Sequence, residues 1–87
     1  MTLTNLGEVH YRAGNHRTAV EFYERGLRIY RDIGDRRRET ETLWQLGHVR
    51  EALGQREQAR SCWHGAQAIF THLGVPVTDR RFRSRWV

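Results

Sequence analysis

The side chains able to do chemistry are a cysteine, five histidines and two arginine clusters, and their spacing decides how much they can do. Cys62 has His64 two residues away, and on a helix side chains that close in sequence point in different directions, so the pair does not form a thiol nucleophile with its base. Cys62 reads instead as a small apolar residue. His10, His16, His48, His64 and His72 contain no pair four apart and no carboxylate at zinc-motif spacing, so no metal site is expected. Glycine-rich phosphate loops and a nucleophile elbow are also missing, and neither a catalytic residue nor a cofactor is assigned. Arg36-Arg37-Arg38 and the arginines at 80, 81, 83 and 85 (Arg80, Arg81, Arg83, Arg85) could neutralise phosphates, which makes a nucleic-acid contact the rival to a solvated charged face.

These groups must sit on a small scaffold. Eighty-seven residues make one domain; 38% are of core-forming types, 29% are charged, and one is proline, the balance of a folded helical protein. The net charge of +5 comes from fifteen arginines and no lysine, a bias most simply explained by a GC-rich coding sequence. No run of eighteen apolar residues occurs and the first residues lack a signal-peptide layout, so no membrane contact and a cytoplasmic location are expected. The lone cysteine agrees with a reducing compartment.

The chain repeats itself with a period of forty. Leu3, Leu6, Gly7, Val9, Gly14, Ala19, Tyr23, Gly26 and Ile33-Gly34 recur as Leu43, Leu46, Gly47, Val49, Gly54, Ala59, Trp63, Ala66 and Leu73-Gly74. Each unit reads as two helices with apolar residues at helical spacing, stopped by Gly14, Gly34 and Gly54 and capped by Asn15 and Asp35. Short loops force neighbouring helices to run antiparallel. Gly7 and Gly47 let paired helices approach, and Tyr23 and Trp63 fill the space between them.

The order Leu-Gly, Gly, Ala, aromatic, small, carried by Leu6-Gly7, Gly14, Ala19, Tyr23, Gly26 and by Leu46-Gly47, Gly54, Ala59, Trp63, Ala66, resembles the tetratricopeptide repeat. The forty-residue period resembles its longer subclass, and Arg31-Asp32-Ile33-Gly34-Asp35-Arg36 resembles the repeat arrays of actinobacterial antibiotic-regulatory transcription factors. The resemblance implies an all-α, right-handed solenoid segment: repeat one over 1–34, repeat two over 35–74, and a short capping helix or basic tail over 75–87. It implies no enzyme activity but protein binding, with the first helix of each unit lining a concave groove. Asn5, Glu8, Tyr11 and Arg12 of unit one and Trp44, Gln45, His48 and Glu51 of unit two are the expected peptide-binding residues; Thr4 and Glu41 also lie off the apolar stripes. Asn5 and Gln45 stand where such repeats place an amide on a bound backbone. Thr4 and Glu8 replace the lysine and asparagine of a two-carboxylate clamp, which argues against chaperone tails.

The ends of the array differ. Val20 and Leu27, the forward apolar edge of the long helix in unit one, become Arg60 and Gln67 in unit two, so unit two reads as terminal. Leu3, Val9 and Ala13 of the first helix are as apolar as their unit-two equivalents although no earlier unit covers them. Either the chain self-associates through this face, as a homodimer, or it is cut from a longer array.

Overall fold

The computed structural model describes residues 2–73, which form four α-helices: α1 (Leu3–Arg12), α2 (His16–Ile33), α3 (Arg36–Ala52) and α4 (Arg56–Leu73). Expected positions in the tail, including Arg80, Arg81, Arg83 and Arg85, lie outside the described residues. Thr2 caps α1, its Oγ1 accepting the Asn5 N–H at 3.1 Å, and Asp35 caps α3 by accepting the Arg38 N–H at 3.1 Å.

The three helix junctions are built alike. At each, a glycine takes the left-handed conformation open to a residue without Cβ (Gly14 φ 85°, Gly34 φ 74°, Gly54 φ 79°). The next residue donates its N–H back into the finished helix at 2.8 Å: Asn15 to the His10 carbonyl, Asp35 to Tyr30 and Gln55 to Arg50. Asn15 departs from expectation in making no side-chain cap bond. Asp35 is held by the Arg38 guanidinium as well as by its N–H, at 3.2 Å, whereas three residues after Asn15 stands the uncharged Thr18.

Helix α3 is the centre of the molecule, packed between α2 and α4, with α1 laid against α2. The core joins Ala19, Tyr23 and Leu27 of α2 to Leu43, Leu46 and Val49 of α3 and Cys62 and Ala66 of α4. Two close approaches recur at the repeat spacing. A Cβ added to Gly7 would lie 2.8 Å from Tyr23 Cε1, and one added to Gly47 would lie 2.6 Å from Trp63 Cδ1. Ordinary carbon contacts are about 3.5–4.0 Å, so both glycines are needed for their helix pairs to meet over an aromatic ring.

Polar groups inside the α2–α3 joint are paired. Glu39 is buried, and its two carboxylate oxygens accept from Arg31 Nε at 3.0 Å and Arg36 Nη1 at 3.1 Å. Thr40 and Thr42, both fully buried, donate to the Arg36 and Arg38 carbonyls at 2.8 and 2.7 Å. Arg50 pairs with Glu24 across the joint and donates to Gln55 at 2.8 Å. Thr4, expected on the groove wall, instead points into this seam, where its hydroxyl lies 3.2 Å from Tyr30 Oη and 3.4 Å from Thr42 Oγ1.

Candidate functional sites on two faces

The groove side of the molecule is built from α1 and α3. Glu8, Tyr11 and Arg12 project from α1 and Gln45 and His48 from α3 around a cleft of about 310 Å³ whose lining also includes the buried Tyr23. Five of the eight residues expected to bind a peptide are therefore brought together. Glu8 and Arg12, four apart on one helix, form an ion pair at 2.8 Å on the rim. Gln45 Oε1 is shielded from solvent and has no hydrogen-bond partner among the described residues, so the cleft wall holds an acceptor suited to a bound N–H. Burial, followed by the nearby Glu8 charge, pushes the Tyr23 phenol up to about 12, and it stays a neutral hydroxyl.

The other three expected residues stand apart from this cleft. Asn5 is exposed on α1, and Glu51 is exposed one turn beyond His48. Trp44 is half-buried against the core, its ring centroid 5.1 Å from His48 and 6.4 Å from Trp63. The indole thus supports the cleft through His48 while packing as core, a dual position that a helical wheel of α3 alone does not reveal.

The second face is the side of α1 and α2 directed away from α3. Val9 is 51% exposed, Ile29 48% and Ile33 67%, the large apolar residues left most open among those described. Val49, which occupies Val9's place one repeat later, is 0% exposed, packed in the core shared by α2, α3 and α4. Half-buried Leu6 and Phe22 continue the surface, with His10 stacked on Phe22 at 5.2 Å. Of the residues expected here, Val9 and Ala13 are exposed, but Leu3 turns inward: a Cβ on Gly26 would sit 3.6 Å from its own. Phe22, Ile29 and Ile33 fall with Ala19, Val20, Tyr23, Leu27 and Tyr30 on an apolar arc covering about half the circumference of α2, wider than α1 and α3 can cover.

A larger cleft of about 680 Å³ opens between α2 and α4, with Leu27, Leu43, Leu46 and Cys62 at its floor. Of its three arginines, Arg31 and Arg50 are committed to Glu39 and Glu24, and Arg28 is exposed. Burial raises the Cys62 thiol pKa, keeping it protonated and a poor nucleophile. The first arginine cluster is exposed; Arg36 and Arg38 are paired with Glu39 and Asp35, and Arg37 forms no ion pair among the described residues. Among the described residues no group of three or more His, Cys, Asp or Glu is placed to hold a metal ion, and no helix is long and apolar enough to cross a membrane.

Known proteins match this architecture hairpin by hairpin. Two tetratricopeptide repeat profiles match, one over residues 2–37 and one over 40–64, the first spanning α1 and α2 and the second lying within α3 and α4. The chain is 34% identical over 79 residues to the regulatory protein AfsR of Streptomyces griseus; the alignment covers 91% of this chain and 8% of that protein. The chain therefore spans a small fraction of that relative's length. No solved structure matches it significantly. With both repeats matched, and with their glycine–aromatic contacts and helix stops in register, the chain belongs to the tetratricopeptide repeat family, whose repeats serve as protein–protein interaction modules.

Proposed function

We propose that this chain is an interaction module that works through the exposed face of α1 and α2, on which it self-associates as a homodimer. The observation that carries this reading is the contrast between Val9, 51% exposed, and Val49, 0% exposed, at equivalent places in two copies of one hairpin. The second repeat supports this reading, since there the equivalent position is buried against neighbouring helices. Burying Val9, Ile29, Ile33 and the open parts of Leu6 and Phe22 contributes roughly 25 cal/mol for each Å² removed from water. Similarity to a regulatory protein fits a role as the interaction segment of a regulator.

Light scattering over a wide concentration range tests this. The wild-type chain is expected to have the mass of a dimer, and Val9→Asp or Ile33→Asp, both at exposed sites, to give a monomer of unchanged helicity. A wild-type monomer at all concentrations, or a dimer indifferent to both substitutions, refutes the reading.

A second reading is favoured by one observation, the solvent-shielded and unpartnered Gln45 Oε1 in the α1–α3 cleft. There the groove binds an extended peptide whose backbone N–H donates to Gln45, with Tyr11 and His48 beside it. Peptides selected on the wild-type chain should lose binding to Gln45→Leu and keep it for Asn5→Ala. Equal binding to wild type and Gln45→Leu removes this reading.

A further inference from the structure

The outer edge of α2 carries opposite charges seven residues apart. Arg25 and Asp32 are both exposed, and neither has an ion-pair or hydrogen-bond partner among the described residues. At 100° per residue they fall within about 20° of each other around the helix, on one flank of the apolar ridge of Phe22, Ile29 and Ile33. Neither Glu21 nor Arg28, each four residues from one of them, closes an ion pair with it. Two opposite charges on one flank of an apolar ridge are self-complementary under a two-fold axis that reverses the helix direction, whereas a parallel one leaves them unpaired on opposite sides of the seam.

We propose that two copies of this chain meet antiparallel along α2, with Ile29 beside the two-fold axis and Arg25 of each protomer against Asp32 of the other. This rests on the self-association reading above and names its register. Arg25 lies about 6 Å before Ile29 along the helix and Asp32 about 4.5 Å after it, so antiparallel pairing about Ile29 brings the two charges to within about 1.5 Å of the same level. Both sit on the same flank, and the two-fold operation keeps that flank common to both helices, so each pair forms twice. A parallel two-fold would instead put the two copies of this flank on opposite sides of the seam, so neither charge would meet its opposite.

The occupant is a second copy meeting face to face, because stacking in sequence is blocked. The edge that α2 offers to α3 is Val20 and Leu27, with Glu24 reaching Arg50. The corresponding edge of α4 is exposed Arg60 and half-buried Gln67. Seating the apolar ridge on that edge would desolvate a guanidinium and an amide. Head-to-tail growth is therefore disfavoured and a closed pair results.

The test is a charge-reversal cycle on the full chain, read as the dimer dissociation constant by sedimentation equilibrium at low and high salt. Arg25→Asp and Asp32→Arg should each weaken the dimer by about ten- to a hundredfold, since two attractive exposed pairs become two repulsive ones. The double variant Arg25→Asp/Asp32→Arg should return close to the wild-type constant, and mixing the two single variants should give a heterodimer stronger than either homodimer. Raising the salt should shrink all these differences. Single variants that dimerise like the wild type, or a double variant that fails to recover, overturn the register while leaving self-association standing. A monomeric wild type overturns both, and circular dichroism of each variant confirms that the exposed substitutions leave the helices formed.

Discussion

Substituting Gly47 by alanine sets two known effects against each other, and the geometry decides between them. In a helix interior the change gains about 1 kcal/mol from propensity. Against this, the new methyl would lie 2.6 Å from Trp63 Cδ1 and 2.9 Å from Cε2, about 1 Å inside normal contact with a rigid ring. Trp63 has little room to retreat, being buried with Trp44 and His48 packed beside it. Overpacking of this kind costs about 1–3 kcal/mol, and contact with several atoms of one rigid ring at once points to the upper half of that range. A net loss of about 1–2 kcal/mol is expected, lowering the melting temperature by roughly 5–15 °C for a domain of this size. Gly65 is the internal control: its added methyl would meet Leu43 Cδ1 at 3.5 Å, an ordinary contact, so Gly65→Ala should stabilise by up to about 1 kcal/mol. Thermal and urea unfolding followed by circular dichroism reads both. If Gly47→Ala matches or exceeds the wild type, or Gly65→Ala falls below it, the close-approach argument is wrong.

Tyr23 supplies a pH-dependent prediction. Burial and the nearby Glu8 carboxylate push its folded pKa from the usual 10.0 up to about 12, so the folded state holds this proton more tightly. The stabilising contribution is whole below pH 10 and declines as pH rises from about 10 towards 12, by on the order of 2–3 kcal/mol in all. Tyr23→Phe should unfold like the wild type at pH 7 and more reluctantly at pH 11; parallel unfolding curves at both pH values would contradict this. Glu39→Gln keeps the shape of a buried side chain and removes the charge that Arg31 and Arg36 share, and should cost about 1–3 kcal/mol at neutral pH in urea unfolding. An unchanged midpoint would mean that the two arginines contribute nothing to the α2–α3 joint.

The repeat made much of this legible. Once Gly7 and Tyr23 aligned with Gly47 and Trp63, helix pairing and the glycine–aromatic contacts followed, because a side-chain type recurring at forty residues reports a recurring environment. The same alignment located Val9 as the uncovered twin of Val49. What escaped depended on distances between elements. Glu39 sits beside three arginines and reads as part of a solvated charged turn, yet the end of α2 folds over it and leaves it 3% exposed. Leu3 and Val9 were expected on one uncovered face, but they stand about 120° apart around α1, so that Leu3 meets Gly26 while Val9 is exposed. Trp44 gave opposite signals, off the apolar stripe of its own helix but within reach of Trp63 on the next, and only the α3–α4 crossing settles that.

Helix α1 buries only Gly7, whereas α3 buries residues along most of its length. Such asymmetry sets an order of local opening: α1 should detach at a free energy well below that of global unfolding, while α2, α3 and α4 remain as the last cooperative unit. Amide exchange in α1 would then be fast and set by this opening. Anything that covers Val9 and Leu6 must first find α1 in place, so binding there stabilises the helix by mass action and slows its exchange. The first helix is in this sense completed by its partner, and protection of its amides would register occupancy of the face without a label on the partner.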